Sequence, residues 1–261
     1  MAHTLLKHTR HYIKILFLKT NAILMAALRQ KKNSYSGNKL TASTVFKSYW
    51  FRGRQRLLWS KINESTYPLI KESCENIDIL EKYKDKSTIF TFFHQPFLKF
   101  LPVLMCENDI LLTTFKSGNT RQKNPFFLKI LERTRKNYTP LTYKPLLSLK
   151  LLQDTLKRGE SVFLAADGNA GKNFFDVPFG TGSLKTPRGI YSLSHETGAP
   201  IVPLFLKLNK LKPFPSFTLL IGKEYQINDT PEKEIKKIES IIKWFYDRIE
   251  EQPYMWNKIT K

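Results

Sequence analysis

The run from Leu156 to Phe205 most narrowly limits what this chain can fold into. It reads as a helix end, a short buried strand, a long glycine-rich loop, a helix and a second buried strand. Gly159 suits the left-handed position that ends a helix begun near Pro145. Ser161 to Ala166 is an apolar run too short for a helix, of the kind that a sheet covered on both faces requires. Asp167, Gly168, Asn169 and Gly171 then bend the chain at the strand's carboxyl end. Pro187 opens a helix that Gly198 closes, and Ile201 to Leu206 forms the second strand. In open α/β sheets, ligands bind where strands end and such loops begin. Residues 167–188 are therefore the first region to search for a site.

The sequence around this block keeps the same alternation. Strands are expected at Ser87–Phe93, Ile110–Phe115, Tyr138–Thr142 and Phe217–Ile221. Helices are expected at Pro68–Lys84, Phe97–Cys106, Pro125–Arg135, Pro145–Lys157 and from Thr230 to about Glu250. The last has a threonine cap, Pro231 and Glu232 in the places a helix start favours. Such alternation implies an α/β fold over residues 63–261, a central mostly parallel sheet flanked by helices.

Residues 1–62 differ in texture. Not one acidic residue precedes Glu64, while Lys7, Arg10, Lys14, Lys19, Arg29, Lys31 and Lys32 are among the many bases that do. Over the whole chain, 43 Lys and Arg against 22 Asp and Glu give a net charge of +21, which attracts nucleic acid, an anionic membrane face or an acidic carrier protein or cofactor. A basic, apolar helix is expected over residues 1–32, then a polar linker over Gln30–Ala42. A second helix is expected over Val45–Ile62, with Phe46, Tyr49, Trp50, Phe51 and Trp59 set among bases. Those aromatics suit base stacking, a membrane interface or a protein core. Lys14, Lys19 and Asn21 interrupt the apolar stretch Tyr12–Leu28, leaving it short of the roughly 20 apolar residues that span a bilayer. A helix lying on a membrane surface and a helix packed on the domain both fit this stretch. The chain contains no known nucleic-acid-binding module, so no nucleic-acid partner is expected.

The inventory of reactive groups is small. Cys74 and Cys106 make no disulfide or metal framework and read as reduced thiols. No metal-ligand spacing, Walker loop or Gly-x-Ser-x-Gly elbow occurs, so no metal or cofactor is expected. His3, His8 and His11 lie in the basic N-terminal stretch, and His195 sits mid-helix beside Glu196. His94 is set apart by its place at a strand end, within a very apolar stretch. Both a packing role and a chemical role fit that position.

The order of features adds a resemblance. His94 is followed by a basic loop containing Arg121, by Asn124-Pro125, and by a strand ending in Asp167-Gly168. VPFG at Val177–Gly180, TPRG at Thr186–Gly189, TGAPIVPLF at Thr197–Phe205 and a tail with Tyr254 and Trp256 come after. This series, from about Thr88 to Lys258, resembles the lysophospholipid acyltransferase superfamily, and more closely the bacterial lipid A (lauroyl/myristoyl-type) acyltransferase family. The resemblance implies a glycerolipid-acyltransferase-like fold. The implied enzyme moves a fatty acyl group from acyl carrier protein or acyl-coenzyme A to a hydroxyl of a lipid or glycolipid. It further implies lipid A biosynthesis on the cytoplasmic face of a bacterial inner membrane, with membrane lipids as partners and residues 1–62 contacting the surface.

By the same resemblance His94 is the general base, and an acid five positions on orients its imidazole. Here that position is Lys99, which cannot accept an imidazole N–H. Either Asp167 or Glu107 serves instead, or His94 works alone, or the protein is a non-catalytic homologue that binds lipid or acyl chains. Lys116, Arg121, Asp167, Gly168, Lys172 and Arg188 are the residues that the resemblance places on the acceptor and its phosphate.

Overall fold

The structure, a computed structural model, describes residues 15–24, 41–59, 63–98, 100–116, 138–142, 147–168, 173–210 and 215–256. Helix α1 (15–24) and α2 (Ala42–Trp59) come first, then α3 (Thr66–Glu72), strand β1 (Cys74–Glu75) and a 3-10 turn at Ile77–Tyr83. The main alternation follows: β2 (Ile89–Phe92), α4 (Phe100–Glu107), β3 (Leu112–Lys116), β4 (Tyr138–Thr142), α5 (Leu147–Lys157) and β5 (Ser161–Ala165). Then come β6 (Phe174–Phe179), β7 (Gly182–Pro187), α6 (Arg188–Thr197), β8 (Ile201–Lys210) and β9 (Ser216–Ile221). Helix α7 (Pro231–Glu251) and a 3-10 turn at Pro253–Met255 complete the described elements.

Seven strands form one sheet in the order β1-β9-β8-β2-β5-β3-β4. β2 pairs in parallel with both β5 and β8, and β3 pairs in parallel with both β5 and β4. Only β9 and the short β1 beside it run the other way, because β9 pairs antiparallel with β8. The expected α/β fold with a mostly parallel sheet is therefore present. Every residue of β2 is buried, as a strand covered on both faces must be. Its Phe90 meets Tyr83 edge-on, and its Phe92 stacks on Phe163 of β5 at 4.0 Å between ring centroids.

Three local expectations change. The glycine-rich loop after Asp167 holds a β-hairpin, β6–β7, where a structureless loop was expected. Gly180, at φ 63°, and Thr181 make its two-residue turn, since a positive φ at the first turn residue matches the twist of the strands. Val177 and Leu184 face each other across it and are buried with Phe179. The helix expected over Pro68–Lys84 stops at Glu72; Asn76 takes φ 62°, and β1 pairs with β9 instead. The helix expected from Phe97 begins at Phe100, because Phe97 itself holds φ 67°, outside the helical region. The helix expected at Pro125–Arg135 lies outside the described residues.

Near the N-terminus, α1 rests on α2 at Gly53, where a side-chain β-carbon would come within 2.8 Å of Leu18 Cδ2. Ala22 is buried, while Leu16, Phe17, Ile23 and Leu24 are each more than half exposed. No helix among the described residues is long and apolar enough to cross a membrane.

Both thiols are buried or half-buried, and burial disfavours the thiolate. It pushes Cys74 up to about 11 and Cys106, helped by the charge of Glu107, up to about 12. A free thiol is roughly a quarter ionised at pH 8. We expect neither cysteine to react with an aromatic disulfide reagent at pH 8 until guanidinium unfolds the chain. Rapid native labelling at either position would contradict the packing described.

Candidate active site

The site is built by strand register. β2 and β5 lie side by side in parallel, and Phe92 is opposite Ala165 as the last paired residues. His94 and Asp167 each stand two residues further on, so the 73-residue separation that unites the strands also unites these side chains. One more ladder bond, Ala166 N–H to Phe92 O at 2.8 Å, carries the pairing past the strand ends. The Asp167 carboxylate then takes over. His94 Nδ1 lies 2.7 Å from Asp167 Oδ1, and the His94 backbone N–H donates to both carboxylate oxygens at 3.1 Å.

Asp167 is completely buried, while the His94 side chain is 47% exposed. A buried carboxylate is tolerated only when its oxygens are satisfied. Its second oxygen accepts the indole N–H of Trp256 at 2.8 Å. With the carboxylate as acceptor, the imidazole proton belongs on Nδ1 and the lone pair on Nε2. No described residue hydrogen-bonds Nε2. The arrangement has the geometry that a base-plus-orienter pair requires, with the imidazole partly exposed and the acid closed off.

The loop carrying His94 is fixed by its neighbours. Gln95 is buried, and its amide makes a matched pair with the Leu206 backbone: Leu206 N–H donates to Oε1 at 3.1 Å, and Nε2 donates to Leu206 O at 3.3 Å. The Phe92 ring meets the imidazole edge-on at 5.9 Å between centroids. On the other side, Gly168 permits the turn directly after the acid. A β-carbon there would stand 3.1 Å from Ala165 O and 3.9 Å from Pro187 Cγ. Pro187, the last residue of β7, therefore packs close to the residue that follows the acid.

Of the residues expected on the acceptor, Asp167 sits against His94 and is taken up by it and by Trp256. Arg188 opens α6; its Nε donates to Phe174 O at 3.2 Å, and its guanidinium lies 4.4 Å from the Phe175 ring centre. That seat leaves its terminal nitrogens without hydrogen bonds among the described residues. Lys116 ends β3, opposite Thr142, and its side chain is outside the described residues, as are Arg121, Lys172 and Lys99 altogether. Glu107, the other candidate acid, is engaged elsewhere: it accepts from Tyr67 Oη at 3.1 Å and pairs with Lys71 at 2.9 Å. Burial, followed by that carboxylate's charge, raises the Tyr67 phenol well above its ordinary range. His195 is exposed on α6, 3.8 Å from Glu234.

Sequence reasoning missed the role of Trp256, whose partner is 89 residues away in the chain. It noticed the residue only as part of a recurrent tail. The signal available was a large amphipathic side chain directly after a long helix, which needs a polar partner if it is buried.

Asn at position 167 would set an amide N–H₂ against N–H groups that already point at the carboxylate. We expect Asp167→Asn to lower the unfolding free energy by about 1–3 kcal/mol in urea titrations. A midpoint equal to that of the original chain would mean the carboxylate is not held as described.

No protein-family model matches the chain, and no curated protein matches it in sequence. Among solved structures, the 1-acyl-sn-glycerophosphate (LPA) acyltransferase PlsC from Thermotoga maritima is similar over 91% of this chain and 94% of that one, at 13% identity and a TM-score of 0.44.

Proposed function

We propose that the protein is an acyltransferase, with His94 as general base and Asp167 as the residue that orients it. The observation that carries this reading is the 2.7 Å contact of His94 Nδ1 with a buried carboxylate at the ends of two paired parallel strands. The ordered series of sequence segments points to the same chemistry.

In the proposed reaction, Nε2 takes the proton of an acceptor hydroxyl as its oxygen attacks the carbonyl carbon of an acyl thioester. Asp167 holds the imidazole in the correct tautomer and offsets the imidazolium charge. The carbon–sulfur bond then breaks, the sulfur leaves as a thiol with the proton returned from Nε2, and an ester remains on the acceptor. The acyl donor is acyl carrier protein or acyl-coenzyme A. The acceptor is a lipid or glycolipid, with lipid A precursors the class favoured by the tail and TPRG segments. Arg188, Lys116, Arg121 and Lys172 supply positive charge for an acceptor phosphate, and a guanidinium binds such a group with two parallel bonds. Gly168 shapes the acceptor side by keeping the turn narrow.

The proposed place of work is the surface of an anionic membrane, the cytoplasmic face of a bacterial inner membrane. Support comes from the charge of +21 and from the exposed Leu16, Phe17, Ile23 and Leu24 of α1. A second reading, a homologue that binds lipid or acyl chains without turnover, rests on Lys99 in the place of an acid. The first reading is supported over it by the Asp167 contact, which supplies an acid from another strand.

The decisive measurement is transfer of a labelled acyl group from a carrier thioester to a lipid extract. We expect turnover, and a fall of about 10²- to 10⁴-fold in His94→Ala with the chain still folded. Acyl-chain binding with no turnover would favour the second reading, and full activity in the variant would remove His94 from the mechanism. For the membrane, vesicles rich in phosphatidylglycerol should sediment with the protein. Leu16→Ser/Phe17→Ser should weaken that binding by about tenfold or more. Equal binding by the double variant would take α1 out of the contact.

A further inference from the structure

Strand β8 is longer than the neighbour that carries the base. Its pairing with β2 ends at Leu204, opposite Phe92, yet β8 continues to Lys210. Its edge on the β2 side therefore presents backbone groups with no strand beside them, and buried groups of that kind need partners. Two glutamine amides fill the gap. Gln95, next to His94, pairs with both backbone groups of Leu206. Gln252, at the end of α7, does the same at Leu208: Leu208 N–H donates to Oε1 at 3.0 Å and Nε2 donates to Leu208 O at 2.8 Å. The loop with the base and the turn ending in Trp256 are thus fastened to adjacent positions on one edge.

That fastening delivers an indole to the acid. Trp256 is 1% exposed, and its ring packs on Phe93, the residue before His94, and on Phe179 of the hairpin. Its Nε1–H reaches Asp167 Oδ2, the oxygen that His94 Nδ1 does not use. A carboxylate with only the imidazole and one backbone amide as donors can rotate to offer either oxygen. With the indole on Oδ2, Oδ1 is kept for the imidazole. The outer side of the turn is itself seated, since Tyr254 packs on Phe51 of α2 at 4.8 Å.

We infer that Trp256 is a positioning residue: through its indole N–H it orients the Asp167 carboxylate, and so the His94 imidazole, from the C-terminal turn. The kinetic part of this inference rests on the acyl-transfer reading; the geometric part does not. The hydrogen bond of Trp256 goes to Asp167 rather than to the imidazole, so its effect on His94 runs through the carboxylate.

The test compares the full chain with Trp256→Phe and with a chain carrying 3-benzothienylalanine at 256, which keeps the bicyclic shape and removes the N–H. The first readout is nitrogen-15 spectra of the labelled His94 ring at one fixed pH. The second is kcat and KM in the transfer assay. Loss of the N–H should shift and broaden the His94 ring nitrogen signals, because the carboxylate is then free to rotate and offer either oxygen to Nδ1. It should also lower kcat by about tenfold or more with KM within about twofold. The isosteric replacement keeps the test decisive if the phenylalanine variant folds poorly. Unchanged ring spectra in the isosteric chain would overturn the inference. So would a loss of activity that appears only in KM. If the original chain transfers no acyl group at all, the acyl-transfer reading fails, and the ring spectra alone decide the role of Trp256.

Discussion

A carboxylate with no access to water has to find every one of its partners in the protein, and Asp167 organises the site because of that requirement. Its oxygens receive three N–H groups: the backbone and ring of His94 and the indole of Trp256. Each donor belongs to a different structural commitment. The backbone of His94 depends on where β2 ends, its ring on the loop pinned by Gln95, and the indole on the turn pinned by Gln252. Satisfying one buried charge therefore gathers the central strands, the end of the longest helix and the candidate base into a single arrangement.

The outrunning edge of β8 is what makes this gathering possible. Had β2 been as long as β8, its own backbone would have covered Leu206 and Leu208. No room would then remain for the chain to turn outward at His94. By ending early, β2 exposes the strand end where ligands bind in open sheets. The two glutamines then meet the hydrogen-bonding needs that the missing strand residues leave behind. The hairpin contributes in a different way, through bulk: its Val177 and Phe179 are buried, and Phe179 packs against Phe93 and Trp256.

How much of this was legible in the sequence depends on distance along the chain. The apolar runs of β2, β5 and β8 and the glycine ending α6 are local signals, and they lead directly to a parallel sheet. His94 was legible for the same reason, as a histidine at a strand end. Its partner was legible only as one of two acids, Asp167 or Glu107, because no local pattern says that β5 will lie beside β2 with Ala165 opposite Phe92. Asp167 was expected on the acceptor side and, together with Glu107, as one of two acids able to stand in for the one that Lys99 replaces. The β6–β7 hairpin was hidden by the glycines around it, although Gly180-Thr181 between alternating runs is a hairpin signal. The break at Asn76 was hidden because an asparagine in a helical pattern gives no warning that it will take a left-handed conformation.

A carboxylate partner on a neighbouring strand gives the His94 contact a different dependence from one five residues along the same loop. In the local arrangement the pair is set by the loop's own conformation, and the rest of the sheet can shift without disturbing it. Here a slip of one residue between β2 and β5 would carry Asp167 to the other face of the sheet and leave His94 without its acid. The pair therefore exists only when the core around Phe90, Phe92 and Phe163 is in register. The requirement runs the other way as well. An unpartnered Asp167 in that core would penalise any register that failed to deliver His94 and Trp256 to it. The buried carboxylate that holds His94 in place also selects the strand pairing that builds the site.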